Sequence, residues 1–325
     1  MKKIIFILIF LFSKSAIGQT TFVINNFSND YFGKLYIADT AAVFSEGWVA
    51  IFDKKSEKQI IKVNSEELTF TLHNDAVLAN VKELYYGEQS QIIYEDFNFD
   101  GVKDFAIMDG HYSCYHGPSF QIFLATNNGF EQSPEFTELA QNYCGMFQVD
   151  YKEKILRTMT KSGCCWHQYS TFKVKNNKPY PIKIVEEGMG ASGITWNYKE
   201  QNLVKGKMVK SEYQMLVMEV DEEDLLLSFE FENKKKMQIF MIGTTLHYVF
   251  TDAKDKIELL YNDIFKYSKT ENNLTFSNLN TQYIIYDEKI IVKTPNKTYE
   301  MKAAKNTRIN TLAKLKNLEI DNLIM

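Results

Sequence analysis

The stretch QIIYEDFNFDGVKDFAIM, Gln91–Met108, places two apolar runs on either side of a short polar loop. The runs QIIY and FAIM are rich in β-branched and aromatic residues, which favour strands. The loop between them carries side-chain oxygens at Asp96, Asn98, Asp100 and Asp104, with one glycine among them. Oxygen ligands at alternating positions, with glycine where the chain turns sharply, are typical of a calcium-binding loop. The stretch therefore predicts two strands joined by a cation site.

Short apolar runs of the same kind recur along the whole chain, bounded by turn-forming residues. Examples are KLYIA at Lys34, GWVAIF at Gly47, LTFTLH at Leu68, SFQIFLA at Ser119 and KIIVKT at Lys289. Because no long helical pattern interrupts them, they predict an all-β fold of mainly antiparallel strands: a sandwich, a barrel or a propeller. A short helix is expected in SPEFTELAQNY, where Ser133 would cap the helix and Pro134 would begin it.

Changes in composition divide the chain into four segments. Residues 1–18 contain two early lysines, an apolar run and a small-residue end, which predicts a secretory signal peptide. Residues 19–187 hold the calcium loop and all four cysteines, and we expect one β domain there. Residues 188–224 begin with three glycines in six residues and end in an acidic run, which indicates a connecting segment. Residues 225–325 return to strand-like runs and predict a smaller antiparallel barrel or sandwich.

The leader predicts the compartment of the protein, and the net charge indicates which classes of partner it can bind. The apolar run of the leader is shorter than the roughly 20 residues that span a bilayer, so we expect a periplasmic or secreted chain with no membrane span after cleavage. Loss of three leader lysines changes the formal charge from −4 to about −7. With only Arg157 and Arg308 as arginines, the chain is poorly suited to neutralise phosphates, which argues against nucleic acid as a partner. A mildly acidic surface would suit a basic protein, although this charge is also ordinary for solubility.

The polar loop predicts one structural calcium ion. The expected ligands are the side chains of Asp96, Asn98, Asp100 and Asp104 and the backbone carbonyl of Val102. Hard oxygen ligands favour Ca²⁺ over zinc or copper, and three close carboxylates would repel one another without a cation. Counted from Asp96, the twelfth position is Ile107, where calcium-sensor loops carry a bidentate glutamate. We therefore expect a static site with a dissociation constant of about 10⁻⁴ to 10⁻³ M. No nucleophile with an adjacent base lies beside the loop, so we do not expect an enzyme.

The four cysteines are Cys114, Cys144, Cys164 and Cys165, an even number that predicts two disulfides in an exported protein. Adjacent cysteines in an extended segment point in opposite directions. We therefore expect one long-range bridge from each of Cys164 and Cys165 to Cys114 or Cys144, with the pairing left open. Zinc is the alternative, with donors His111, Cys114, His116, Cys165 and His167, but their spacing fits no common zinc pattern.

The cysteines lie in two segments that are rich in aromatic residues and histidine, GHYSCYHGPS and KSGCCWHQYS. Loops held by a rigid scaffold often carry binding residues, and Trp and Tyr are common anchors at protein interfaces. The candidate partner-binding residues are Tyr112, Tyr115, His116, Trp166 and His167. The alternative is that Trp166 packs over a disulfide as part of the core.

The chain resembles a family of secreted bacterial proteins. The resemblance is carried by three segments in this order: DFNFDGVKDF, FQIFLATNNGFEQSPEFTELA and SGCCWHQYSTFKV. The similarity extends over about Lys34–Val185 and is strongest over Asp96–Asp104. It implies a propeller-like antiparallel domain with one calcium loop. Members of that family inhibit lysozyme-like peptidoglycan hydrolases in the periplasm and act as immunity proteins for effectors delivered by type IV secretion. The cysteine-rich segments depart from the family pattern.

The resemblance implies an exported, calcium-stabilised inhibitor or immunity protein that binds a lysozyme-like hydrolase. A second hypothesis is a secreted carbohydrate-binding or adhesive module that binds cell-wall glycan, with Tyr112, Tyr115 and Trp166 as a stacking platform for sugar rings. A glycosidase is the third. Its two catalytic carboxyl groups must lie about 5 to 9.5 Å apart, and no acidic pair is singled out by its spacing in the sequence.

Overall fold

The structure, a computed structural model, describes residues 20–83, 87–217 and 220–325. Within these ranges the strands form five sheets, and almost all neighbouring strands are antiparallel. The all-β fold class is therefore confirmed. The predicted signal peptide, residues 1–18, lies outside the described residues. Nowhere in the described ranges is a helix both long and apolar enough to cross a membrane.

The first sheet is an antiparallel meander of four strands in sequence order. The strands are β1 (Thr20–Ile24), β2 (Tyr31–Ile37), β3 (Ser45–Asp53) and β4 (Gln59–Leu68). Side chains alternate between the two faces, as the strand period of two requires. In β2, Leu35 and Ile37 are buried, whereas Lys34 and Tyr36 point to the outer face.

The second sheet is also a four-stranded meander and contains the polar loop. Its strands are β5 (Ile92–Glu95), β6 (Asp104–Ser113), β7 (Gly117–Thr126) and β8 (Gly129–Gln132). The helix α1 (Pro134–Gln141) follows β8, and the Ser133 hydroxyl accepts a hydrogen bond from the Phe136 amide at 3.5 Å. The predicted helix, cap and first residue are thus confirmed. Four-stranded meanders of this kind are the units of propellers, and the propeller-like arrangement itself stays a prediction.

One apolar core joins the first two sheets and the helix. Fully buried members include Leu35 and Ile51 from the first sheet, Ile92 and Phe105 from the second, and Phe136 from α1. Each such side chain contributes about 1.5 to 3 kcal/mol to folding when it leaves water. Because Ile92 lies in the strand before the polar loop and Phe105 in the strand after it, the core fixes the strands at both ends of the loop.

The third sheet has six strands in the order β14-β13-β12-β11-β10-β9. Their bounds are β9 (Gln148–Asp150), β10 (Ile155–Ser162), β11 (Trp166–Lys175), β12 (Lys178–Met189), β13 (Thr195–Val204) and β14 (Lys207–Leu216).

The chain forms two compact units, of which the first contains residues up to 185 and residues 201–209. The second contains residues 186–200 and 210–325.

The segment 188–224, which was predicted as a connection between domains, contains β13 and β14 in the structure. Its glycines form a tight turn instead of a linker. The Gly193 amide donates to the Gly190 carbonyl at 3.0 Å, and the Gly190 amide donates to the Thr195 carbonyl at 2.7 Å. Gly193 has a φ of 74°, a left-handed conformation that glycine adopts without strain.

Residues 225–325 form two open sheets. The fourth sheet has the order β18-β17-β16-β15-β24 and the fifth β23-β22-β21-β20-β19-β25. Their strands are β15 (Leu225–Glu230), β16 (Lys236–Ile242), β17 (Thr245–Thr251), β18 (Ile257–Tyr261), β19 (Phe265–Ser268), β20 (Asn273–Asn278), β21 (Thr281–Tyr286), β22 (Lys289–Lys293), β23 (Thr298–Lys302), β24 (Ile309–Asn310) and β25 (Leu323–Ile324). Residues of both sheets share one core, for example Phe229 and Phe276. The described residues contain no closed barrel, so the sandwich alternative is the better description.

Candidate functional site

The loop between β5 and β6 folds around the carboxylate of Asp96. This carboxylate accepts hydrogen bonds from the amides of Phe99 at 2.7 Å, Asp100 at 3.2 Å and Gly101 at 2.9 Å. Such bonds from an aspartate to the following amides stabilise a turn. Phe99 and Gly101 have φ values of 65° and 92°, and glycine adopts that conformation at least cost. The loop therefore has the sharp turn that its sequence predicts.

Asn98 and Asp100 lie side by side within the loop. The Asn98 side-chain amide donates to the Asp100 carboxylate at 2.9 Å, and the Asp100 backbone amide donates to the Asn98 side-chain oxygen at 3.1 Å. The other Asp100 oxygen accepts from the Val102 amide at 2.8 Å. The Asn98 side-chain amide also donates to the Asn177 side-chain oxygen at 3.2 Å, which ties the loop to the turn between β11 and β12.

Asp104 is fully buried at the first position of β6. Its carboxylate accepts from the Phe97 amide and from the Ala125 amide, both at 2.8 Å. Burial raises the pKa of Asp104 to about 7, although the two amides oppose this shift, and the charges of Asp100 and Asp96 raise the pKa further. A cation beside these three carboxylates would favour their charged forms.

The predicted calcium ligands thus share one loop, but their side chains form hydrogen bonds with the protein, mostly with amides of the loop and, for Asp104, also with the Ala125 amide of β7. Within the described ranges, no three or more His, Cys, Asp or Glu side chains form a group that could hold a metal ion. The donor types fit a hard cation, because carboxylate and amide oxygens are calcium ligands. Calcium binding by Asp96, Asn98, Asp100, Val102 and Asp104 stays a prediction.

The disulfide pairing differs from the sequence-based expectation. Cys114 pairs with Cys144, and the adjacent Cys164 and Cys165 pair with each other. The prediction of two long-range bridges was wrong because it assumed an extended segment at Cys164. The segment is instead the turn between β10 and β11, where the chain bends back on itself. One bridge, Cys114–Cys144, is long-range, with a sequence separation of 30. All four cysteines are disulfide-bonded, so none is a ligand in the alternative zinc site.

Tyr115 brings the two aromatic segments together. It lies in the 3₁₀ turn Cys114–His116, and its hydroxyl accepts a hydrogen bond from the Gly163 amide at 2.5 Å. The ammonium group of Lys161 lies 5.0 Å from the centre of the Tyr115 ring. Trp166 and His167 begin β11 on the same hairpin, where His167 is paired with Lys161. The Tyr115 hydroxyl also donates to the Gly163 carbonyl at 3.4 Å, so hydrogen bonds to Gly163, and not a disulfide, connect the two segments.

His116 faces the first sheet instead of this hairpin. Its Nε2 lies 2.6 Å from a carboxylate oxygen of Glu67, and its ring stacks on Phe44 at 4.7 Å between centroids. The His111 Nε2 lies 3.0 Å from the Thr69 hydroxyl, and burial lowers the pKa of His111. Sequence reasoning missed Phe44, Glu67 and Thr69, because only the fold brings these residues near the histidines. Tyr112 also lies away from the hairpin, beside Tyr36, Trp48 and Glu66 of the first sheet.

Comparisons with known proteins identify structural neighbours. No protein-family model matches this chain. No curated protein is significantly similar to it. A Xanthomonas type IV secretion system related protein is similar over 61% of this chain and 94% of that chain, with 18% identity and a TM-score of 0.46. Prolyl oligopeptidase B from Galerina marginata is similar over 87% of this chain and 41% of that chain, with 8% identity and a TM-score of 0.25. Likeness at this level does not assign a function.

Proposed function

We propose that this protein is an exported, calcium-stabilised binding protein that inhibits a lysozyme-like peptidoglycan hydrolase. The observation that carries the proposal is the loop Asp96–Asp104, which resembles the calcium loop of that inhibitor family and leads directly into the strand β6. The same strand ends at the 3₁₀ turn that carries Tyr115. A cation that rigidifies the start of β6 would thus stabilise the scaffold on which the exposed turn is presented.

The donor set supports calcium as the stabilising ion. Asp96, Asn98, Asp100 and Asp104 would supply side-chain oxygens, and Val102 would supply its carbonyl. The ion would supply positive charge to a buried carboxylate whose ionisation is otherwise costly. No catalytic step is proposed for the ion, because a calcium ion held mainly by protein oxygens fixes backbone geometry.

The exposed tyrosine of the 3₁₀ turn supports binding to a protein partner. Tyr115 is 58% exposed, and the Cys114–Cys144 disulfide fixes the turn on which it stands. Tyrosine buries a large area at low conformational cost, which makes it a common anchor at protein interfaces. The two disulfides also fit an oxidising compartment, in agreement with the predicted leader. A mildly acidic surface would favour encounters with a basic hydrolase.

Inhibition is tested by mixing the chain without residues 1–18 with a panel of lysozyme-like hydrolases on cell-wall substrate. We expect at least one hydrolase to slow in a dose-dependent manner. Tyr115→Ala is expected to weaken that inhibition about tenfold or more, because loss of an interface anchor costs about 2 kcal/mol. Tyr299→Ala is the matched control, since Tyr299 is 46% exposed and has Lys297 over its ring at 4.8 Å.

Two results would contradict the proposal. One is the absence of inhibition across the whole panel. The other is a loss of turbidity caused by the protein alone, which would identify an enzyme. If Tyr115→Ala and Tyr299→Ala weaken inhibition equally, the interface does not lie at the 3₁₀ turn.

A further inference from the structure

The first unit contains a groove that neither the calcium loop nor the 3₁₀ turn explains. It has a volume of about 500 Å³ and lies where the outer face of the first sheet meets β6 and β7. The lining combines three aromatic and three acidic side chains, namely Tyr36, Trp48, Tyr112, Glu46, Glu66 and Asp109. Small-molecule sites have about this volume, about 300 to 1,000 Å³, and combine aromatic walls with a few polar groups.

One wall of the groove is a fixed aromatic pair. Tyr36 on β2 and Trp48 on β3 are directly opposite in the antiparallel register, and their rings stack with centroids 5.7 Å apart. The ammonium group of Lys62 lies 4.8 Å from the centre of the Trp48 ring. Neighbouring side chains on the sheet thus hold the indole in one orientation, so little conformational entropy is lost when a ligand contacts it.

The opposite wall is Tyr112, whose position depends on irregularities in β6. The pairing of β6 with β7 shifts register between Met108 and Gly110 and again between Gly110 and Ser113. Such bulges redirect side chains and are frequent beside functional sites. At Gly110, with a φ of 144°, an added Cβ would lie 2.5 Å from the Tyr112 ring. Only glycine there leaves room for this ring, which remains 55% exposed.

The groove is lined by three carboxylates, of which one is buried and two are exposed, and by two side-chain amides. Asp109 is buried, and its carboxylate accepts from the Ser119 hydroxyl and from the Gln141 side-chain amide, both at 2.6 Å. Glu46 and Glu66 are exposed at the rim, and neither forms an ion pair within the described part of the chain. The side-chain amides of Asn64 and Gln121 also line the groove. Carboxylates accept from hydroxyl groups, and amides can both donate and accept.

We propose that this groove binds a neutral oligosaccharide. The apolar face of a sugar ring would pack on the exposed ring of Tyr112, and its hydroxyls would donate to Glu46 and Glu66 and exchange hydrogen bonds with Asn64 and Gln121. None of the described residues that line the groove is basic, which disfavours phosphates and acidic sugars. A cationic peptide is the less favoured ligand, because the Lys62 ammonium already lies against the Trp48 wall. The proposal does not depend on hydrolase inhibition.

The test is calorimetric titration of the chain without residues 1–18 with two neutral tetrasaccharides, cellotetraose and tetra-N-acetylchitotetraose, and separately with tetra-arginine. We expect binding of at least one tetrasaccharide and none of tetra-arginine. Tyr112→Ala is expected to weaken tetrasaccharide binding about tenfold or more, since it removes the stacking surface. Glu66→Gln is expected to weaken it about threefold or more, because the amide accepts at one oxygen only. Tyr299→Ala, an exposed tyrosine of the second unit, is the control and should leave the affinity unchanged.

Gly110→Ala provides a second, independent variant, because it should displace the Tyr112 ring and weaken binding while Tyr112 is still present. Absence of heat with both tetrasaccharides would overturn the proposal. Equal affinities for wild type, Tyr112→Ala and Glu66→Gln would also overturn it, as would tetra-arginine binding that depends on these same residues. No hydrolase is present in the titration, so its failure is distinguishable from a failure of the inhibition assay.

Discussion

Replacing Cys114 and Cys144 together with alanine is expected to lower the free energy of unfolding of the first unit by about 3 to 4 kcal/mol. Their disulfide has a sequence separation of 30, and opening it returns the loop-closure entropy to the unfolded chain. Urea unfolding followed by tryptophan fluorescence measures this loss. The change should appear as a lower midpoint for the transition of the first unit.

The second disulfide supplies a matched control. Cys164 and Cys165 are adjacent, so their bond closes almost no chain, and the double alanine variant should cost about 1 kcal/mol or less. Both variants remove two cysteines and one disulfide. Equal losses in the two variants would contradict the pairing described here. A larger loss for the Cys164 and Cys165 variant would also contradict it.

Asp104→Ala is expected to destabilise the first unit by about 2 to 4 kcal/mol, measured in the same way in calcium-free buffer. The carboxylate is buried and accepts from the amides of Phe97 and Ala125. Alanine leaves both amides without this acceptor, and a buried amide without a partner costs about 1 to 3 kcal/mol. Removal of a costly buried charge offsets part of this loss, so the upper end of the estimate lies below the roughly 6 kcal/mol that two unpaired amides could cost.

Asp100→Ala is the control for Asp104→Ala, because Asp100 is exposed and accepts only from groups of the loop itself. Without calcium it should cost about 1 kcal/mol or less. A cost below about 1 kcal/mol for Asp104→Ala would mean that its two hydrogen bonds do not stabilise the start of β6.

Local features of this chain could be predicted because they depend on neighbours in sequence. The strands on either side of the loop, the turn around Asp96 and the helix capped by Ser133 all follow from short-range patterns. The strand periodicity likewise gave the all-β class. A turn aspartate and a helix cap each need only the next few amides, which the sequence places there whatever the rest of the fold does.

Features that depend on the fold could not be predicted in this way. The groove combines Tyr36, Trp48 and Tyr112, which only strand pairing brings together. The prediction that Tyr112 and Tyr115 share one patch assumed that disulfides tie the two cysteine-containing loops together, whereas Tyr112, next to the bulges near Gly110, lines the groove. The cysteine pairing required knowledge that Cys164 lies in a turn.

The glycines near residue 190 show the same limit. Glycine-rich composition is compatible with a flexible linker and with a tight turn between paired strands. Only the hydrogen bonds of Gly190 and Gly193 distinguish the two, and they form because β12 continues into β13.

The central claim is that the loop Asp96–Asp104 binds calcium and thereby stabilises the first unit. It is tested most directly by thermal melting with EDTA and with about 10 mM calcium. A dissociation constant of about 10⁻⁴ to 10⁻³ M corresponds to about 1.4 to 2.7 kcal/mol at that concentration, or about 3 to 10 °C in melting temperature. We expect this increase in the wild type and in the exposed control Asp263→Ala, and no increase in Asp100→Ala. Identical melting of the wild type in EDTA and in calcium would contradict the claim.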